Sequence, residues 1–439
     1  MRVLLSFVLV LSSGLALPNQ LGERDNAKRD ADHSPSSNFT IYASHYSGNV
    51  HTLQFEPGLG RVYATQVLQS CGKKPSWLTI DRESKTLYCL DESGDPATGE
   101  PGHLYEYAIR RNGTLEERAK VETAPGPVHA TLYGKEKKFI AIASFRKPIV
   151  QTFALPLKNL GKPMQSLQLD DSDKSEPYAV YLDPIRQSFI FVLDKGTDTI
   201  YIYAIDNDGY LKDWPCDKRK ANRDYSVPRL GIRRAAFIVS GQDEALLYWL
   251  SDITNYLGRY NVKFPTDNGG TSDACPSLIP IDGPWINLRN STENSHPLDN
   301  ESYFPELKSI DNRDFYLTKC NPRRFTDSIF EYCVPNTHDS CGYKGDSDQD
   351  LVPTIYRKPI PTYGHCPRSF DLSPNGLFMA IGNRISSNVI IVPRDPKSHG
   401  SLGDLIAEIP VSVEGSPRQR NGLSSVIWGI EAKALRVNQ

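Results

Sequence analysis

Eight side chains stand at corresponding places in a recurring pattern, and together they could do proton and anion chemistry. His129, Tyr178, Arg233, Arg234, Glu306 and Arg368 lie at the start of successive β-rich units, and the acids Glu92 and Asp194 close the second run of theirs. Arginine forks hold carboxylates and phosphates through paired, charge-assisted hydrogen bonds. An imidazole titrates near neutrality when unperturbed, so His129 is the natural proton carrier. If these groups converge, they form an anion site with a general acid/base. Each also has a structural use. His129 could be a hydrogen-bonded residue of a polar channel, and Glu92 a solvated turn residue. Arg233 and Arg234 adjoin in a strand, so alternation sends them to opposite sides. Only one of them should then face a shared space, with the other paired to a carboxylate between units.

The elements that must position these groups are strands. Helical periodicity is nearly absent, and short β-rich runs are separated by Gly, Pro, Asn and Asp. One unit opens at Lys74-Pro75 and holds four runs: KPSWLTID, TLYCLDE, HLYEYAI and an exposed fourth ending near Glu122. It restarts at Pro127, Pro177, Ile232, Pro305 and Pro367, 50 to 73 residues apart. Four-strand units of this period predict a β-propeller, because one such sheet cannot bury both faces and radial stacking does so. The segments 39–44 and 48–53 read as second and third strands lacking a first, and 423–428 as a first strand lacking a unit. Pairing them predicts an all-β, seven-bladed propeller over residues 38–432, its first blade closed by both termini, with 433–439 as a tail. The first strand of each blade lines the channel, and the residues at its start face one mouth.

The N-terminus and the cysteines predict export. Arg2, an apolar run to Leu11 and Gly14-Leu15-Ala16 read as a signal peptide over residues 1–16, and 17–37, with Lys28-Arg29, as a flexible leader or propeptide. Asn38, Asn112, Asn290 and Asn300 are glycosylation sequons, and the cysteine count of 8 is even. Cys333 and Cys341 close a short loop and are the first expected pair. A secreted, disulfide-bonded glycoprotein follows, with no membrane contact after signal removal. The net charge of −2 shows no basic excess for nucleic acid. No metal is expected: Cys/His spacings for zinc are absent, and Asp346, Asp348 and Asp350 lack the glycine and closing glutamate of a calcium loop. Residues 265–300 have no periodicity and read as a long glycosylated surface loop.

The strings GPVHATLYGKEKKFIAIAS, EPYAVYLDPIRQSFIFVLDKGTDTIYIYAID and CPRSFDLSPNGLFMAIGNRISSNVIIVPRDP resemble motifs of the lactonase family of seven-bladed propellers. That family includes bacterial 6-phosphogluconolactonase and fungal carboxy-cis,cis-muconate cyclase. The resemblance runs from about Phe39 to Ile430. It implies catalytic roles for His129, Arg233, Arg234 and Asp194 and substrate-binding roles for Tyr178, Glu306 and Arg368, on a small anionic molecule and without a cofactor. His129 matches the histidine of the family's GPxH string. Arg233 and Arg368 match its Pro-Arg-His arginine, but Arg234 and Ser369 replace the following histidine, and Tyr178 stands where the family often has His or Arg. Two readings follow: a secreted lactonase or muconate-type cyclase, or a non-catalytic ligand-binding propeller whose site has eroded. The oligomeric state is left open.

Overall fold

A computed structural model describes residues 38–432 except 159–160, 170–172, 222–228, 266–273, 282–284, 289–301, 311–313, 322–326, 335–354, 357–358, 399 and 418. The chain forms seven antiparallel sheets, and the helical turns among these residues are three short 3-10 segments. The seven-bladed propeller expected from the repeat is the fold. The inner strands are Pro75–Asp81, Pro127–Tyr133, Pro177–Leu182, Ile232–Val239, Leu307–Ile310 and Pro367–Leu372 in blades 2 to 7, and Leu423–Ala432 in blade 1.

Blade 1 is built from both ends of the chain. Asn38–His45 pairs with Leu423–Ala432 on one side and with Asn49–Glu56 on the other, bringing Ile41 opposite Trp428 and Tyr42 opposite Ile427. Trp428 is fully buried, with the rings of Phe39 and Phe55 edge-on at 5.6 and 6.0 Å. Burying this aromatic face is what ties the ring shut.

The core lies between neighbouring blades. One apolar cluster joins Phe191 and Leu193 of blade 4 to Phe237, Leu247 and Trp249 of blade 5, and another joins Ile140 and Ile142 of blade 3 to Leu90 and Leu104 of blade 2. The alternating Val, Ile, Leu and aromatic positions of the middle strands supply both faces, because each middle strand is covered on both sides.

A register shift recurs at the start of the inner strands. In blades 2, 3, 4, 5 and 7 two inner-strand residues oppose one on the next strand, leaving Ser76, Val128, Tyr178, Arg233 and Arg368 as the extra residue. A similar shift lies at Ser424 in blade 1. Such a bulge breaks strand alternation and re-aims side chains.

Among the described residues three disulfides form: Cys71–Cys89, Cys216–Cys275 and Cys320–Cys366. The expected Cys333–Cys341 pair lies outside the described residues. The stretch 265–300 is not simply a loop. Ser277–Pro280 and Ile286–Asn287 in it both pair with Tyr256–Lys263 as outer strands of blade 5, and runs this short carry no legible alternation. Asn112 sits exposed in a turn, whereas Asn38 is half-buried and starts a strand. Asn290, Asn300, the acidic triplet at 346–350 and the leader to residue 37 lie outside the described residues. No described helix is long and apolar enough to cross a membrane.

Candidate functional site

The bulged residues and the loops beside them build a cationic mouth around Tyr178. Its ring is buried, 5.8 Å from the Phe145 ring. Three cations approach the ring: Arg233 Cζ at 5.0 Å from its centroid, Lys195 Nζ at 5.1 Å and Arg234 Cζ at 5.7 Å. Arg368 and Arg420 also act on its hydroxyl, and Arg384 acts on Arg368 and Arg233. Among the described residues, the carboxylates set against Lys195, Arg233, Arg368, Arg384 and Arg420 are Glu92 and Asp252, and Glu306, which is paired with Arg234, also acts on Arg233. Glu92 accepts Arg420 Nη1 at 3.0 Å and the Tyr46 hydroxyl at 3.3 Å, and Asp252 Oδ2 accepts Lys195 at 2.8 Å and Arg233 Nη1 at 3.3 Å. The mouth therefore carries an excess of positive charge.

Burial alone would push the Tyr178 phenol up. The charges of Arg233, Arg368, Arg420 and Lys195 outweigh it and bring the group down to about 8. Burial works against the Arg233 charge in turn, but Tyr178 and Asp252 overcome it and raise its pKa. Arg233 Nε and Nη2 are buried without a hydrogen-bond partner among the described residues, and so is Arg384 Nε. Unpaired buried charged donors are costly, and an anion is the partner that would satisfy them.

Deeper in the channel lies a second layer. Arg234 Nε reaches both oxygens of Glu306, at 3.1 and 3.3 Å, and the guanidinium lies 5.0 Å over the Trp77 ring. Trp77 packs on His129 at 4.3 Å, and Tyr181 covers the histidine at 4.9 Å. A cavity of about 360 Å³ opens there, lined by Trp77, His129, Tyr181, Glu306 and Lys308. His129 Nδ1 accepts the Val180 N–H at 3.3 Å, so in the neutral ring Nε2 carries the proton. Burial, then the charges of Arg234 and Lys308, hold its pKa well below the usual imidazole range. His129 is thus a neutral hydrogen-bond donor, not a group poised to exchange a proton near neutrality.

These positions change several expectations. Tyr178, Arg233 and Arg368 meet at the mouth, with Arg234 and Glu306 directly beneath. His129 belongs to the deeper layer. Arg233 and Arg234 both approach Tyr178, against the strict alternation expected of them, because the bulge at Arg233 disrupts it. Glu92 is no solvated turn residue but a fully buried partner of Arg420 and Tyr46. Asp194 organises a turn: its oxygens accept the Glu176 and Gly196 N–H groups and the Ser175 and Thr197 hydroxyls. That leaves it little capacity for substrate. Sequence reasoning missed Tyr46, Lys195, Asp252, Arg384 and Arg420, which lie at strand ends or in loops outside the inner-strand column. The recurrence of loop residues after each second strand was the signal available for Lys195, Asp252 and Arg384.

A seven-bladed propeller with a cationic, arginine-lined mouth is the class that fold and site define. The chain belongs to the family described as lactonase, 7-bladed beta-propeller, whose model matches residues 38–261 and 345–416. It is 39% identical over 382 residues to a 6-phosphogluconolactonase of Formosa agariphila, covering 84% of this chain and 94% of that protein. Its fold resembles the periplasmic gluconolactonase of Pseudomonas aeruginosa (17% identity, TM-score 0.66, 90% of this chain and 99% of that one). It also resembles a putative 6-phosphogluconolactonase of Bacteroides uniformis (16% identity, TM-score 0.64, 89% and 99%).

Proposed function

We propose that this propeller hydrolyses the lactone of a sugar acid that bears a further anionic group, at the mouth around Tyr178. The observation that carries the reading is the convergence of Lys195, Arg233, Arg368 and Arg420 on one buried phenol, with Arg384 beside Arg368 and Arg233 and with Arg233 donors left unpaired. The similarity to a 6-phosphogluconolactonase supports a phosphate as that group. Arg368, Arg384 and Arg420 are suited to bind the substrate anion, and Arg233 to stabilise the oxyanion that forms when water adds to the lactone carbonyl. Arg234, held by Glu306, supports Tyr178 from below. His129, through Trp77, fixes the position of Arg234.

The test is a pH-stat comparison of 6-phosphogluconolactone with neutral gluconolactone. Turnover of the phosphorylated lactone with kcat/KM at least ~10-fold higher, equivalent to ~1.4 kcal/mol, is expected. Absence of turnover on both lactones would overturn the assignment, and tight binding of 6-phosphogluconate without turnover would make the chain a ligand-binding propeller. A muconate-type cyclase is the second reading. It is favoured by the separate unpaired donors of Arg233 and Arg384, which could each hold one carboxylate of a dicarboxylate. Turnover of a carboxymuconate, followed by ultraviolet absorbance, would select it.

We also infer that the protein is an exported glycoprotein. The three disulfides support an oxidising compartment, and Asn112 is an exposed acceptor. Intact mass of the exported chain before and after deglycosylation tests both statements.

A further inference from the structure

Ester hydrolysis needs a base to take a proton from the attacking water. The acids of the mouth are poorly placed for it. Glu92 has one oxygen on Arg420 and the other on Tyr46, and it is fully buried. Asp252 is held against two cations, its Oδ2 accepting from both Lys195 and Arg233. Asp194 is taken up by its turn. His129 has its free lone pair turned to the Val180 N–H.

The Tyr178 hydroxyl differs from all of these. It makes no hydrogen bond among the described residues, yet it is not among their sealed, unpartnered atoms. It stands at the bulge where Lys195 of its own blade and Arg233 of the next approach its ring, with Arg368 and Arg420 acting on it from blades 7 and 1. We propose that Tyr178, as its phenolate, is the general base of lactone opening; this rests on the lactone-hydrolase reading above.

The step balances with water as the only co-reactant. Tyr178 Oη takes a proton from water while the water oxygen bonds to the lactone carbonyl carbon. The carbonyl π pair moves to oxygen, on which the positive charge of Arg233 acts. Collapse breaks the ring C–O bond, and the departing alkoxide takes the proton back from Tyr178 Oη. The product is the hydroxy acid, and the phenolate is regenerated.

The groups that face the phenol are Lys195, Arg233, Arg234, Arg368 and Arg420 as cations, with Tyr46 also acting through its charge. Glu92 pairs with Arg420 and Asp252 with Arg233 and Lys195, and Glu306 and Tyr303 also act on Arg233. The cations hold the phenol at about 8, whereas burial pushes Tyr42, Tyr46, Tyr88, Tyr105, Tyr107, Tyr133, Tyr181, Tyr248 and Tyr316 upward. The Tyr178 tyrosinate should therefore form well before those nine.

The experiment pairs an ultraviolet difference titration with pH–rate profiles on 6-phosphogluconolactone, corrected for spontaneous opening. Wild type should show one tyrosinate forming near pH 8, which Tyr178→Phe removes. Its kcat/KM should rise through that same pH, and Tyr178→Phe should lose the rise and ~10²–10⁴-fold in rate. Tyr178→His should restore part of the rate with the rise moved to lower pH, and circular dichroism checks that both variants fold. An active wild type whose Tyr178→Phe variant keeps rate and profile overturns the proposal, as does a titration with no early tyrosinate. An early tyrosinate without turnover of any lactone instead sinks the lactone-hydrolase reading, and the base role with it.

Discussion

Arg234 donates Nε to both carboxylate oxygens of Glu306, across 72 residues of sequence, and both side chains are almost completely buried. The pair forms the floor between the cationic mouth and the deeper cavity. Its attraction offsets the desolvation of two charges only while both partners remain.

Glu306→Ala should therefore strand the Arg234 charge and cost ~3–5 kcal/mol of stability. The double variant Arg234→Met, Glu306→Leu should recover most of that loss, because no buried charge is left. Urea unfolding of the three proteins measures it; a single variant as stable as wild type would show that the pair is solvated.

Arg233→Lys keeps a charge but loses the planar fork. If Arg233 meets the oxyanion, kcat should fall by ~10²-fold with little change in KM. Arg368→Ala should instead raise KM, by ~10-fold or more, since it removes charge-assisted hydrogen bonds to the bound anion. Steady-state kinetics on the phosphorylated lactone separate the two; the opposite pattern would exchange their roles.

The depressed pKa of His129 makes a prediction about stability and pH. The unfolded chain takes up a proton near pH 6.5 that the folded site refuses. This contribution is fully present above that pH and is lost as pH falls, by up to ~1.4 kcal/mol per unit. His45, His51 and His365 are depressed as well and act in the same sense. Wild type minus His129→Gln should isolate the His129 slope between pH 4 and 6.5. A flat difference would mean that the imidazole protonates in place.

Closure of the ring is testable at Trp428. Trp428→Ala removes the aromatic centre between Phe39, Phe55 and the last strand. It should cost ~3–5 kcal/mol, the usual range for a buried aromatic, and lower the thermal midpoint without changing the mouth chemistry.

The Cys216–Cys275 bond joins the outer edges of blades 4 and 5 across 59 residues. Replacing both cysteines by alanine should cost ~4 kcal/mol on the loop-entropy estimate. Unfolding under oxidising conditions, against wild type, gives the value.

The sequence by itself determined the blades. A middle strand such as FIFVLD, apolar on both faces, has one economical environment, between two other sheets, and the recurrence of such strands in successive units sets the number of sheets. The lone strand at 423–428 likewise had to find 39–44, because an apolar strand cannot end exposed. The column of inner-strand starts was legible for the same reason: Tyr178, Arg233 and Arg368 follow a proline or an isoleucine at each restart. What the mouth contains was decided only in three dimensions. The bulges that bring both Arg233 and Arg234 to Tyr178 leave no mark in an alternating pattern. Arg420 and Arg384 come from loops whose local sequence says nothing of direction. The proton on His129 and the charge on Tyr178 depend on which cations stand near them, and Lys308, Arg234, Arg368 and Arg420 reach them from strands and loops far away in the chain. Local pattern specifies which surfaces must be buried; electrostatics depends on distance, and only the closed ring sets the distances.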